Sequence, residues 1–322
     1  MSKFVGIDIS KKTFDIAYQK QEKWFFSPLP NHQKGFQELV QHLSKEDYVV
    51  MEASGPYYLP LATYLHEQGY QVVVENPLVI KRYSQMKLYR AKTDKKDAKT
   101  IAEYASRNPL RLWQPEVAVI TELKHLQTAI AGIQQSIHQT RRQVESLKSS
   151  GLLNEQLEKE LLQLIDALKD RQASWELRQK KRSEAHYQTT MRGLTSIPGI
   201  GEKTAMMLLV ATDNFKKFTN SKQLIAYVGF SPRVYQSGSS VRGRGRICKL
   251  GNWLLGKLLY MCSWTAQRCN KACKALSDRL ALKGKPARVI KVAIANKLLK
   301  QAFAIANSQQ RYSENYQSNI CF

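Results

Sequence analysis

A chain of 322 residues is long enough for two domains, and 43% hydrophobic with 24% charged residues suits folded units rather than a disordered or fibrous chain. Fifty Lys and Arg against 26 acids leave +24. Of that excess +18 lies from residue 191 onward, where 22 basic residues face only Glu202, Asp213, Asp278 and Glu314, which points to a nucleic acid or another polyanion as partner.

The opening MSKFVGIDIS has no apolar signal region and no run approaches the ~18 apolar residues of a membrane span, so a cytoplasmic protein is expected. The basic half shows no long basic helix with Trp and Phe on one face, which argues against a membrane surface as the polyanion. Cys248, Cys262, Cys269, Cys273 and Cys321 lack CxxC spacing and give neither a disulfide framework nor a zinc site. Cys262, Cys269 and Cys273 sit at helical spacing and read as small buried apolar residues.

In chain order, residues 4–9 form a strand. Residues 13–19 alternate, with Phe14, Ile16 and Tyr18 on one side, and 24–29 make a third strand of an antiparallel meander. A helix follows over about 34–43, with Asn31 as its candidate cap. Residues 48–51 read as a buried strand ended near Gly55-Pro56, 58–68 as a helix, 71–74 as another buried strand, and Asn76-Pro77 as a helix start. Three antiparallel strands, then two strands separated by helices, is the order of a ribonuclease-H-like α/β domain, assigned to residues 1–116. The alternation alone fits many α/β folds. Val117, Ile120, Leu123, Leu126, Ile130, Ile133, Ile137, Val144 and Leu147 recur at helical spacing. After Ser149-Ser150-Gly151 the period resumes at Leu153, Leu157, Leu161, Leu164 and Leu168, so residues 117–190 read as a helical hairpin or oligomerisation arm. Residues 191–322 are expected to be mainly helical, with a Gly/Ser/Arg-rich break over 236–246 and a loose tail from Asn307.

Chemistry gathers at two places. Asp8 and Glu52 each end a buried strand, and the two strands are neighbours in a ribonuclease-H-like sheet. Asp94 and Asp97 in KTDKKDA, three apart, share one side of a helix that begins at Thr93 or Asp94. Four crowded carboxylates cannot all stay ionised without cations, and hard oxygen ligands suit Mg²⁺ in phosphoryl transfer. Asp15 and Glu75 on adjacent strands are rival members, and Asp94 is also a candidate N-cap. In the second half, SIPGIGEKTA reads as a helix-hairpin-helix whose Gly199 and Gly201 permit a tight turn. Backbone N–H groups there, with Lys203 and Thr204, meet a phosphate without reading sequence. The stretch YQSGSSVRG sets serines among Arg242, Arg244, Arg246 and Lys249, a setting for attack on a phosphodiester. By chemistry alone Ser237, Ser239 and Ser240 are equivalent.

With Asp8 in VGIDIS, Glu52 in MEASGPY, Asp94 and Asp97 in KTDKKDA, then SIPGIGEKTA and YQSGSSVRG in that order, the chain resembles the DEDD-type insertion-sequence transposases related to the Piv invertase. That resemblance implies a RuvC-like domain, a coiled-coil arm and a mainly helical transposase domain over 191–322. It implies Asp8, Glu52, Asp94 and Asp97 as an Mg²⁺-binding tetrad, with Ser237 as nucleophile. It further implies a structured bridge RNA that pairs with target and donor DNA, and a tetramer whose active sites join carboxylates of one subunit to the serine of another. The Arg244-Gly-Arg246 run is more basic than the resemblance leads one to expect. Two other readings remain from the residues: a structure-selective RuvC-like nuclease using water, and a nucleic-acid-binding protein without catalysis. A sugar-kinase-like or actin-like ATPase is excluded because Lys11-Lys12 stand where a Gly-rich phosphate loop would follow Asp8.

Overall fold

The computed structural model describes residues 2–89, 93–233, 236–237, 241–242, 246–248 and 250–314, with the backbone alone at 236, 237, 241, 242 and 246. The chain divides into two compact units, residues 1–115 and 116–322.

The first unit is built on β1 (Phe4–Ile9), β2 (Thr13–Lys20), β3 (Lys23–Pro30), α1 (Gln33–Gln41), β4 (Tyr48–Glu52), α2 (Leu59–Glu67), β5 (Gln71–Glu75), α3 (Pro77–Met86) and α4 (Asp94–Ala105). Its sheet runs β3-β2-β1-β4-β5, with β1, β2 and β3 antiparallel and β4 and β5 parallel to β1. This mixed sheet is consistent with the ribonuclease-H-like order expected from the sequence. Period-two alternation gives each strand two faces. Val5, Ile7, Phe14, Ile16, Val49 and Met51 point one way and pack with Phe36 and Leu39 of α1 and Leu61 and Leu65 of α2. On the other side Val50 and Val73 pack with Ile80 of α3 and Ile101 and Ala105 of α4. Burying each large aliphatic contributes about 1.5–3 kcal/mol, so both layers hold the sheet.

Local caps follow the sequence in two places and depart from it in one. Asn76 caps α3 through Leu78 N–H at 2.9 Å, and Thr93, not Asp94, caps α4 by accepting from Lys96 N–H at 3.3 Å. Asn31 does not cap α1, whose N-cap is His32 without a side-chain bond. Asn31 follows directly on β3 and its amide nitrogen instead donates to the carbonyls of Ser10 (2.9 Å) and Tyr57 (3.2 Å), tying the β1–β2 turn to the entry of α2.

The second unit opens with a hairpin of two long helices, α5 (Ala118–Ser149) and α6 (Glu155–Thr195). Ile133, Ile137 and Val144 meet Leu161, Ile165 and Leu168 along it, and Asn154 caps α6 through Gln156 N–H. The one division of the chain is at 115/116, so the second unit takes in both the expected arm, 117–190, and the expected domain over 191–322. α6 bends at Tyr187 (φ −135°, ψ 29°) but continues to Thr195, and Ile120, Leu123, Met191 and Leu194 enter the unit's main core. The base of the hairpin therefore packs into the unit's main core.

Then follow α7 (Glu202–Thr212), α8 (Ser221–Val228), four two-residue strands β6 (Pro232–Arg233), β7 (Gln236–Ser237), β8 (Val241–Arg242) and β9 (Arg246–Ile247), and finally α9 (Trp253–Cys269), α10 (Lys271–Leu282) and α11 (Ala287–Ser308). The Gly/Ser/Arg-rich break is thus partly paired, β7 with β8 and β6 with β9. The expected helical run through three cysteines is broken. Asn270 ends α9 and caps α10, leaving Cys269 exposed while Cys273 is buried. The segment after Asn307 is not uniformly loose: α11 reaches Ser308, Tyr312 N–H donates to Ser196 Oγ at 2.8 Å, and the Tyr312 hydroxyl meets Asn270 Oδ1 at 3.2 Å.

Gly199 sits at φ +106°, and a Cβ there would lie 2.6 Å from the Ala266 Cβ and 2.9 Å from its Cα on α9. Both the backbone conformation and the close approach require glycine. Gly199→Ala is expected to lower stability by about 2–4 kcal/mol in a chemical denaturation curve, with Gly201→Ala nearer 1 kcal/mol because open space surrounds Gly201.

Candidate active site

The register of the first sheet sets the carboxylates in a row. Ile7 pairs with Met51, so Asp8 and Glu52 follow side by side on neighbouring parallel strands. Asp8 pairs with Asp15, and Glu52 with Glu75. Paired residues on adjacent strands point to the same face at a spacing of about 4.8 Å. Asp15, Asp8, Glu52 and Glu75 therefore cross four strands on the face that α4 covers, and the rival acids prove to be neighbours of the expected ones.

The helix is brought there by a glycine. The first turn of α4 carries Asp94 and Asp97. A Cβ on Gly6, two residues before Asp8, would lie 2.1 Å from the Ala98 carbonyl oxygen and 2.4 Å from the Ala102 nitrogen. Only a residue without a side chain lets α4 lie directly on β1. Gly6 was missed in the sequence because nothing local demands it. Ala98, Ala102 and Ala105 on the facing side of α4 were the available signal, since small residues are what a close helix–sheet contact needs.

Electrostatics register the crowding. Asp8 is half-buried, and its carboxyl is pushed up from 3.8 to about 6, first by desolvation, then by the charges of Asp97, Asp94, Glu52 and Asp15. Asp15 is raised by burial and by Asp94, with Lys95 opposing, and Glu75 is raised by burial, with the Asn76 backbone N–H opposing. Ser54 donates to Glu52 Oε1 at 2.5 Å. Among the described residues no group of three or more His, Cys, Asp or Glu side chains is gathered into a formed metal cage. The set is all carboxylate oxygen, the ligand type that hard divalent cations such as Mg²⁺ take.

In the second unit, α6, a turn at residues 196–201 and α7 form a helix–turn–helix connection. Gly201 is the N-cap of α7 without a side-chain cap bond, and Lys203 is exposed with Glu176 at 3.8 Å. Glu202 in the same turn pairs with Lys180 at 2.8 Å. The expectation that Thr204 meets a phosphate is corrected. Thr204 is 4% exposed and its hydroxyl lies 3.2 Å from Cys262 Sγ, because it faces the core side of α7. Ser237 lies on β7 opposite Val241, and Arg242 on β8 opposite Gln236. Arg246 stands on β9 opposite Arg233. Ser239, Ser240, Arg244 and Lys249 lie outside the described residues.

Comparison with known proteins places two models in tandem on the chain. One, described as "Transposase" and of the DEDD, IS110 type, matches residues 5–150, and one for the "Transposase IS116/IS110/IS902 family" matches residues 191–278. The pilin gene-inverting protein of Moraxella bovis is 28% identical over 98% of this chain and 99% of its own length. A probable family 20 transposase of Pseudomonas aeruginosa is 24% identical over 96% and 98%, and the transposase for insertion sequence element IS1111A of Coxiella burnetii is 26% identical over 80% and 76%.

Proposed function

We propose that this chain, a member of the IS110 transposase family, recombines DNA through a serine nucleophile, Ser237, acting with Asp8, Glu52, Asp94 and Asp97 on a RuvC-like domain. The observation that carries this reading is the crowding of Asp8 by three other members of the set, drawn from a neighbouring strand and from the first turn of α4. Residues so arranged raise the proton affinity of Asp8, a cost that function explains and folding does not.

Mg²⁺ held by those four carboxylates would relieve their repulsion and neutralise charge on the scissile phosphodiester. The protein's own groups do the rest. Ser237 Oγ bonds to phosphorus while the bond from phosphorus to the 3′ oxygen breaks. The serine proton passes to the departing oxygen through the polar site, leaving a 3′-hydroxyl strand and a 5′-phosphoserine. A 3′-hydroxyl from the exchange partner reverses the step, so bond energy is retained without ATP. Arg242, Arg244, Arg246 and Lys249 hold the phosphodiester oxygens, and the Gly199–Lys203 connection, as a helix-hairpin-helix, grips the backbone elsewhere. A structured bridge RNA chooses the DNA, and a tetramer brings serine from one subunit to carboxylates of another. The nuclease reading is not favoured: the matched models and relatives are named for transposition or gene inversion, both of which require rejoining.

The test is to run recombination with the full chain, element-end DNA and RNA transcribed from the element's flanks, stop it with denaturant, and map any protein–DNA bond. The expected adduct is at Ser237. Ser237→Ala removes both adduct and recombinants, Ser239→Ala and Ser240→Ala retain both, and omission of the RNA removes recombinants. Normal recombination by Ser237→Ala, or free 5′-phosphate ends with no adduct, would refute the serine role.

A further inference from the structure

The outer side of α9 has a composition the sequence reading did not anticipate in the basic half. Trp253, Lys257, Met261, Trp264 and Arg268 recur four, four, three and four residues apart, so they form one stripe along the helix. Leu255, Leu259, Ser263 and Ala266, on the opposite side, are buried. Trp253 is 72% exposed, Met261 59% and Trp264 53%. Two exposed tryptophans on one helix are uncommon where nothing covers them.

The charge on this stripe has one sign. α9 contains no Asp or Glu. Lys291, a buried residue, reaches it from α11: its ammonium sits 3.8 Å over the Trp264 ring and bonds to Gln267. Among the described residues no carboxylate pairs with Lys257, Arg268 or Lys291. An occupant must therefore bring negative charge as well as flat apolar surface.

We infer that this stripe is a platform for an unpaired nucleic-acid strand, whose bases stack on Trp253 and Trp264 while its phosphates lie against Lys257 and Arg268. The rings stand 11 residues apart, about 16 Å along the axis, with Lys257 between them, so the strand runs lengthwise along α9. Base–aromatic stacking joined to a basic track is the means by which proteins hold single strands without reading sequence. A second copy of this chain fits less well, because a two-fold contact would set Lys257 and Arg268 against themselves with no acid on α9 to relieve them. An anionic membrane fits less well, because the broad apolar side of α9 is already committed to the core and the free stripe alternates rings with cations. The stripe shares no residue with the proposed catalytic set, and the inference rests on the proposed function only in taking nucleic acid as partner.

The experiment uses the full chain and fluorescent twelve-nucleotide oligo(dT), oligo(rU) and a duplex of equal length. Trp253→Ala and Trp264→Ala are each expected to weaken binding of the unpaired oligomers about tenfold, with the duplex changing less than about threefold and Trp→Phe keeping most of the affinity. Lys257→Gln and Arg268→Gln should each flatten the log–log salt dependence for the unpaired strand by about 0.7. Preference for oligo(rU) or oligo(dT) identifies the strand as RNA or DNA. Unchanged affinity of the double alanine variant for both oligomers overturns the inference. So does a variant that loses self-association, or binding to phosphatidylglycerol vesicles, while oligonucleotide affinity stays intact. The readout is equilibrium binding and not strand cleavage, so failure here and failure of the serine chemistry are read separately.

Discussion

Asp8→Asn is expected to cut recombination about a thousandfold and at the same time make the protein more stable above pH 6. In the unfolded chain an Asp titrates near 3.8, and in the fold Asp8 titrates near 6. Between those values the folded chain holds a proton that the unfolded chain has released, so stability falls as pH rises through this window and stays lowered above it. Two pK units at 1.36 kcal/mol each give about 2–3 kcal/mol of destabilisation at neutral pH. Asn fills nearly the same volume and cannot ionise, so the variant escapes that loss. Below pH 3.8 Asp8 is neutral in both states and the two proteins should melt together. Thermal midpoints about one pH unit below 3.8 and at about pH 7.5 check this: coincidence at the lower pH and a higher midpoint for Asp8→Asn at the upper. Millimolar Mg²⁺ should raise the wild-type midpoint more than the variant's, because the variant lacks one ligand and the repulsion that centred on it. Recombination should fall by about a thousandfold, the several kcal/mol that metal-assisted charge neutralisation supplies at 1.36 kcal/mol per decade. An equal response to Mg²⁺ in both proteins would remove Asp8 from the ligand set.

That gain of stability on losing function explains why the acids were legible before the fold was. A strand such as VGIDI spends its alternation on Val5, Ile7 and Ile9 and still places a carboxylate at the level of Glu52. Alternation also fixed the sides of β2, where Phe14, Ile16 and Tyr18 are buried. What alternation lacks is register. Asp15 and Glu75 were rivals in the sequence and are members of one row in the sheet, because pairing partners 7 and 23 residues apart set their level. Side chains that answer to distant partners were read wrongly for the same reason. Asn31 has the composition of a cap but serves Ser10 and Tyr57, and Thr204 belongs to the core beside Cys262. The α9 stripe was hidden by its own surroundings, since Leu254, Leu255, Leu258 and Leu259 make the segment look apolar on every side until packing buries one of them. Ser237 was singled out from its neighbours by resemblance alone, and chemistry still ranks the three serines equally.

Gly6→Ala is expected to be the most damaging single methyl group in the first unit. The added carbon would sit 2.1 Å from one backbone atom of α4 and 2.4 Å from another, and backbone cannot rotate away as a side chain can. Relief requires α4 to move outward by about 1 Å, opening contacts that Ile101 and Ala105 make with Val50 and Val73. The cost should be about 3 kcal/mol or more, read as an earlier unfolding transition in denaturant. The same movement carries Asp94 and Asp97 away from Asp8, so a second consequence follows from geometry alone. With two of its like charges withdrawn, the Asp8 carboxyl should titrate closer to the ordinary value of 3.8, which NMR of the side-chain carbon can follow. Misplacement by about 1 Å should also reduce recombination about a hundredfold in whatever fraction stays folded. A Gly6→Ala protein of unchanged stability, with Asp8 still titrating near 6, would mean that α4 is not seated on β1 by this glycine. The carboxylates would then owe their meeting to something other than the bare backbone two residues before the first of them.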